Sequence, residues 1–131
     1  MAALATLVGL VLAQASPATT MTVEGAHQDR GGRDWVDVGF AELATGRPAA
    51  AIARIRDNGA LDVDDPAALI NLGSAHARVG QRQRAERFYK AAIISSTRYD
   101  LQLSDGRWMD SRSAARQAIA ALQHGSVLAL R

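Results

Sequence analysis

Three histidines are the side chains of this chain best suited to metal binding or to acid–base catalysis near neutral pH. His27 lies in a polar stretch, His76 inside a helical pattern, and His124 at the predicted end of a helix. No two of them have the spacing that places metal ligands on one face of a helix. We therefore predict that the histidines form neither a metal site nor a catalytic pair.

Two polar clusters could also suggest chemistry. Asp62, Asp64 and Asp65 look like part of a calcium loop, but the glycine and the distal glutamate of that loop are missing. A turn between helices, closed by a capping aspartate, explains them better. Ser111 and Ser113 have no histidine or lysine partner at a suggestive position. The sequence thus predicts no catalytic residue, no metal and no cofactor, and we expect a protein that is not an enzyme.

Composition limits the fold and the partners. The 131 residues are enough for one domain, and alanine-rich composition with 5% aromatic residues favours close-packed helices. The absence of cysteine excludes disulfides and thiolate chemistry. The formal charge is only +2, with acidic residues interspersed among the basic ones and one lysine among 15 basic side chains. This pattern predicts no nucleic-acid partner.

The first residues resemble a secretory signal peptide. Residues 1–15 contain no charged side chain, residues 4–13 form an apolar run, and Ala13-Gln14-Ala15 fits the small-x-small cleavage pattern. The run is too short for a stable membrane span. We expect an exported protein, periplasmic or secreted. Because the segment has no basic residue, a plain apolar tail on a cytoplasmic protein stays open as the alternative. Residues 16–33, rich in Thr, Gly, Asp and Arg, are predicted to be a flexible linker.

A repeat with a period of 34 residues organises the middle of the chain. Apolar residues recur at helical spacing over 34–45 and 48–57, and again over 66–79 and 85–93. Gly46 and Gly80 end the first helix of each pair, while Pro48 and Pro66 suit first helical positions. The matching pairs are Trp35 with Leu69, Val38 with Leu72, Gly39 with Gly73, Ala41 with Ala75, Gly46 with Gly80, Ala51 with Ala85, and Ile55 with Tyr89.

These residues resemble the tetratricopeptide repeat family, whose consensus order is Trp, Leu-Gly, Tyr, Ala, Phe, Ala and Pro. The first repeat keeps Trp35, and the second keeps Leu72-Gly73 and Ala85. The resemblance implies two stacked helix hairpins, over 34–65 and 66–98. Gly39 and Gly73 would allow close approach of the paired helix, and Ala51 and Ala85 would sit where helices cross. His76 takes a position that is usually aromatic in the family, which favours a packed core histidine.

The third repeat is replaced by a different pattern over 99–124. Leu101 and Leu103 alternate with polar residues before Asp105-Gly106, which predicts a β-hairpin with a two-residue turn and Leu103 facing Trp108. A helix over 112–123 follows, ending at His124-Gly125 before a tail over 125–131. The predicted fold is mainly α: two helix hairpins, a short β-hairpin and a helix that caps the stack.

The resemblance also implies which residues contact a partner, because ligands of this family lie mainly on the first helix of each hairpin. Asn71 holds a position where the family often has an asparagine bound to a peptide backbone. Phe40, Leu43 and Ile70 could equally pack under the protein's own linker or hairpin, so both interpretations stay open. The candidate partner-binding residues are Val36, Phe40, Leu43, Ile70, Asn71, Ser74 and Arg78.

The expected function is a small scaffold or adaptor that binds a protein or peptide through this face. A self-assembling structural module, such as a homodimer, is the first alternative. A non-catalytic accessory subunit of an envelope enzyme is the second. The partner's identity is not encoded in any motif of the sequence.

Overall fold

The computed structural model describes residues 21–25, 38–59 and 64–129. This part of the chain is mainly helical, with five helices and a small antiparallel sheet, which confirms the predicted fold class at that level. The predicted signal peptide and most of the predicted linker lie outside the described residues. The helices are α1 (Phe40–Ala44), α2 (Pro48–Asp57), α3 (Pro66–Arg78), α4 (Arg82–Ile94) and α5 (Ser111–Ala129), and the strands are β1 (Val23–Gly25), β2 (Asp100–Leu103) and β3 (Trp108–Asp110).

The helix boundaries follow the local signals in the sequence. Pro48 and Pro66 each occupy a first helical position, where a missing N–H removes no intrahelical hydrogen bond. The side chain of Asp65 caps α3 by accepting a hydrogen bond from the Ala68 amide. Gly46 and Gly80 follow the ends of α1 and α3 with φ of 72° and 81°, a left-handed conformation that favours glycine. These predicted starts and stops are confirmed.

The helices pack in chain order, and the closest approach occurs at Gly73 in α3. A Cβ atom at this position would lie 2.6 Å from Cε1 of Tyr89 and 3.1 Å from the backbone oxygen of Ala85, both in α4. Only a residue without a side chain lets the Tyr89 ring cross the α3 backbone at this distance. Ala51 and Ala85 are fully buried, as predicted for residues where helices cross.

The first helix is shorter than predicted. The helical pattern over 34–45 includes Val38 and Gly39, but α1 begins only at Phe40. Gly39 precedes it with φ of 70°, so the backbone turns there and does not continue a helix. A Cβ atom at Gly39 would still lie 3.2 Å from Ala51 in α2, which confirms the close approach predicted for this glycine. Residues 34–37, including Trp35 and Val36, lie outside the described part.

The β-hairpin is present, but its predicted register is wrong by one residue. Trp108 pairs with Gln102, not with Leu103, and the Leu103 amide donates to the Arg107 carbonyl. The Gly106 amide donates to the Leu103 carbonyl, and Gly106 has φ of 84°. These bonds make a three-residue loop closed by a left-handed glycine in place of the predicted two-residue turn. The shift turns Trp108 away from the core, where it is 53% exposed, while Leu101 and Leu103 stay buried.

Two further differences affect the ends of the described part. Residues 21–25 fall inside the predicted linker, yet β1 pairs antiparallel with β2, giving the sheet order β1-β2-β3. Asp110 caps α5 by accepting a hydrogen bond from the Ser113 amide. The helix does not end at His124-Gly125 as predicted but continues to Ala129. A single glycine costs a helix only about 1 kcal/mol, too little to end one by itself.

One continuous core joins these elements. Ile55, Leu72 and Tyr89 from the helix pairs belong to the same buried cluster as Leu101 of the sheet and Ala115 of α5. Helix α5 packs against α4 and α3, and therefore covers the open end of the second helix pair. Strand β1 lies against α3 and α1. The sheet thus reaches from the first-helix side of the stack to α5.

Candidate functional site

An open cleft of about 1050 Å³ lies between the first helices of the two pairs and α5. Its apolar walls come from Phe40 and Leu43 of α1 and from Ala121 and Leu122 of α5. Ala77 and Arg78 contribute the end of α3. A cleft of this size, mainly apolar with a few polar groups at fixed positions, is typical of binding sites.

The remaining wall is polar and is built by the sheet. Thr22, next to β1, and Ser104, in the hairpin loop, both line the cleft. The Ser104 amide donates to the Thr22 carbonyl over 3.1 Å, which ties the two segments together. Thr22 is buried, whereas Ser104 is exposed. The cleft therefore has one polar edge beside its apolar walls.

Arg78 supplies the charge of the cleft. Its guanidinium donates to the Leu43 carbonyl through Nη1 and to the Thr22 hydroxyl through Nη2, the latter over 3.1 Å. Partial burial lowers the pKa of this guanidinium, which stays protonated at neutral pH nevertheless. Arg82 also borders the cleft, and no acidic side chain lines it within the described ranges. The local charge is positive and suits an anionic group on a ligand.

Three of the predicted site residues are buried inside the protein, and a fourth lies outside the described residues. Ile70, Asn71 and Ser74 are fully buried in α3, and Val36 belongs to the residues that the structure does not describe. Asn71 donates to the Val38 carbonyl over 2.8 Å, and Ser74 donates to the Met21 carbonyl. In this conformation their polar groups hold the protein's own backbone and are not accessible to a partner.

Phe40, Leu43 and Arg78 lie together at the cleft, where the Leu43 side chain is only 1% exposed. The interpretation that the face packs under the protein's own chain applies to the adjoining part of α3, where residues 21–25 lie. Thus the first-helix face is divided into a covered half and an open half. The open half is the candidate site.

Sequence reasoning missed the contributions of the sheet and of α5. Ala118 and Leu122 carry a detectable signal, since they share one apolar face of α5, but this face was assigned to capping. Thr22 and Ser104 have no such signal. A threonine in a polar stretch and a serine in a turn are ordinary residues there, and only the folded chain places them at the cleft.

His76 is a packed core residue, as the sequence favoured. Its ring stacks on Phe88 with centroids 5.2 Å apart, and Nδ1 lies 2.6 Å from Oε1 of Gln81. Burial lowers its pKa, and the positive charges of Arg56 and Arg84 lower it further. Nε2 is buried and finds no hydrogen-bond partner within the described structure. His76 does not line the cleft.

Within the described ranges, no group of three or more His, Cys, Asp or Glu side chains could hold a metal ion. None of the helices described combines the length and the apolar character that crossing a membrane requires. No family model, no curated protein and no solved structure matches this chain.

Proposed function

We propose that this protein is a small adaptor of the tetratricopeptide type, and that it binds an extended segment of a partner protein in the cleft between α1, α3 and α5. The observation that carries the proposal is the combination of an apolar cleft with the Arg78 guanidinium at its polar edge. The repeat of 34 residues supports the family assignment. Two stacked hairpins with a capping helix would leave their first-helix face as the natural binding surface.

The cleft favours a segment over a compact ligand. It is open to solvent and is lined by residues of several helices, so a chain can enter and leave without threading. Phe40 and Leu122, both partly exposed, offer apolar contacts for side chains of the segment. Arg78 and Arg82 favour an acidic side chain or a terminal carboxylate near the end of α3. The expected ligand thus has apolar anchors and one acidic group.

Neighbouring alanines on α5 provide a sharp test. Ala121 and Ala120 are both exposed, but only Ala121 lines the cleft. Arginine is a good helix former, so Ala121→Arg fills part of the cleft with a long side chain without loss of core packing. Ala120→Arg adds the same charge to the same helix outside the cleft. The experiment is an affinity purification with crosslinking in cells, using the tagged full chain in its wild-type and two variant forms.

We expect one or a few proteins to be recovered with the wild type and with Ala120→Arg, and to be lost with Ala121→Arg. Recovery of the same proteins with all three chains would refute the cleft as the binding site. Circular dichroism and melting temperatures of the variants check that folding is retained.

Self-association is a second candidate, favoured by the exposure of Trp108. This side chain is 53% exposed on β3, an edge strand of the sheet, and large exposed aromatic residues are common at protein interfaces. Light scattering over a range of concentrations tests this. A mass that doubles with concentration in the wild type but not in Trp108→Thr would support a homodimer, and a constant monomer mass would exclude it.

A further inference from the structure

Residues 21–25 lie in the first-helix groove in the manner of a bound peptide. The Met21 carbonyl accepts a hydrogen bond from the Ser74 hydroxyl, and the Thr22 carbonyl accepts one from the Ser104 amide. Val23 pairs with Leu103 and Gly25 with Gln102, antiparallel, along β2. The segment is therefore held between α3 on one side and the edge of β2 on the other.

The hydrogen bonds from Ser74 and Ser104 are both made to backbone carbonyls of the segment. Hydrogen bonds to the carbonyls at 21 and 22 can be made by any extended chain in the same place. The Thr22 hydroxyl accepts a hydrogen bond from Nη2 of Arg78 over 3.1 Å, and the Met21 side chain packs against the core. A carboxylate at this position would bind the guanidinium more strongly than a neutral hydroxyl does. The site is thus better suited to an acidic residue than to the residue that now fills it.

The segment can leave without loss of the strand that it pairs with. β2 is the central strand, paired with β3 on its other side, and Leu101 and Leu103 anchor it in the core. β1 has three residues and an irregular register between Val23 and Gly25. Removal of β1 would expose one edge of β2 and the buried hydroxyl of Ser74, both of which then need new hydrogen-bond partners.

We propose that residues 21–25 are an internal occupant of the covered half of the first-helix face, and that an extended segment of a partner protein with an acidic residue at the Thr22 position displaces them and pairs with β2. This inference rests on the proposed function, since it names the kind of segment that the adaptor takes and how the segment enters. Thr22 and Ser104 border the open cleft, so displacement of the strand joins the covered half of the groove to the open half.

Tethering explains why residues 21–25 keep the covered half closed by default. A segment that belongs to the same chain has an effective concentration of roughly millimolar order, which a free peptide of equal affinity cannot overcome at micromolar concentration. A partner must therefore bind better than the tethered segment. An acidic residue of the partner segment, placed beside the Arg78 guanidinium, supplies this gain in affinity.

Charge at position 22 gives a matched pair of variants for the test. Thr22→Lys places an ammonium next to the Arg78 guanidinium and weakens the internal strand by repulsion. Thr22→Asp places a carboxylate there and strengthens it. The probe is a labelled synthetic peptide of residues 19–27 that carries Asp in place of Thr22, titrated into the full chain. We expect the Thr22→Lys chain to bind this peptide at least about tenfold more tightly than the Thr22→Asp chain, with the wild type between them.

Equal affinity of the peptide for the two chains, or no binding to either, would overturn the inference. If Thr22→Lys does not fold, Thr22→Val replaces it in the test. This variant keeps the volume of the side chain and removes only the hydroxyl that bonds to Arg78. Its affinity for the peptide must exceed that of the wild type. The mass of the Thr22→Lys chain is measured by light scattering. A doubled mass would show that a second copy of this chain supplies the strand, which would also overturn the proposal of a different partner protein.

The two proposals fail in different ways. If Ala121→Arg abolishes partner capture while the position-22 variants bind the peptide equally, only the strand displacement is refuted. If the variants bind the peptide in the expected order while Ala121→Arg leaves capture unchanged, only the cleft is refuted.

Discussion

The hydroxyl of Ser74 donates its hydrogen bond to the backbone carbonyl of Met21, 53 positions earlier in the chain. The Tyr89 hydroxyl lies 3.0 Å from the same Ser74 oxygen. Since a serine hydroxyl has one proton, Tyr89 must donate to Ser74. A chain of hydrogen bonds therefore runs from α4 through α3 to the segment that fills the groove.

Replacing Ser74 with alanine should detach this segment at one point. Ser74→Ala leaves the buried Tyr89 hydroxyl and the Met21 carbonyl without their partner, and we expect a loss of about 1–3 kcal/mol in the free energy of unfolding. The amide of Ser104 should also exchange with solvent faster, because it donates to the neighbouring Thr22 carbonyl. Urea unfolding and amide exchange measure these effects. Ser104→Ala, which keeps the backbone amide, is the control, and equal behaviour of the two variants would contradict the assigned bonds.

Gly73 should not tolerate even one added methyl group. In Gly73→Ala the new Cβ would lie 2.6 Å from the Tyr89 ring, so the α3–α4 contact must open, at a cost of about 1–3 kcal/mol. Gly125 offers the opposite case, since it lies in α5 with no neighbour within 4 Å of a new Cβ. Gly125→Ala should therefore stabilise the protein by about 0.5–1 kcal/mol. Thermal unfolding of both variants measures these effects. An equal destabilisation by Gly73→Ala and Gly125→Ala would refute the close packing at Gly73.

The bond between Tyr99 and Asp65 should give a stability effect that depends on pH. Burial raises the pKa of Asp65 above 3.8, and the hydrogen bond donated by the Tyr99 hydroxyl lowers it. Tyr99→Phe removes this donor and raises the pKa further. We expect Tyr99→Phe to lower the free energy of unfolding by about 1–3 kcal/mol at neutral pH. This loss should disappear as pH falls through the pKa of Asp65, because a protonated carboxyl has no charge for the Tyr99 hydroxyl to stabilise. Urea unfolding across the acidic range measures it.

The same tyrosine substitution made together with Asp65→Asn is the control for that effect. With no carboxyl group at position 65, the cost of Tyr99→Phe should be smaller and should not change with pH. A cost that varies with pH in both backgrounds would assign the effect to another group.

His76 should make the protein less stable in mild acid. Because burial lowers the pKa of His76 below 6.5 in the folded state, the unfolded chain takes up a proton first as pH falls. The resulting stability is fully present above about pH 6.5 and is lost as pH falls through the folded pKa. His76→Phe keeps the stacking on Phe88 and should reduce this loss between neutral pH and pH values near 5. Urea unfolding across this pH range measures the effect, and an unchanged loss of stability in His76→Phe would contradict it.

The local features of the fold could be predicted because each depends on a few adjacent residues. Asp65-Pro66 starts α3, Gly80 follows its end, and Gly73 allows the approach of α4, all from signals that lie within one helix or turn. The burial of His76 agrees with the family resemblance, which implies a packed residue at this position.

The features that failed depend on contacts between distant segments or on small differences in energy. A two-residue and a three-residue turn around Asp105-Gly106 both use glycine, so the local sequence does not distinguish them. β1 has no pattern of its own, since three residues are too few to alternate, and only pairing with β2 and docking on α3 define it. Ser74 and Asn71 were predicted to contact a partner, but they bond to the backbone of Met21 and Val38, which are distant in the sequence.

The most direct test of the cleft as a binding site is crosslinking from inside it. A photoreactive amino acid replaces Ala121 in one full-length chain and Ala120 in another, and mass spectrometry identifies the crosslinked peptides formed in cells. The account predicts that position 121 forms adducts with one extended, acidic segment of a partner and that position 120 does not. The same adducts from both positions, or adducts from position 121 to this chain alone, would contradict it.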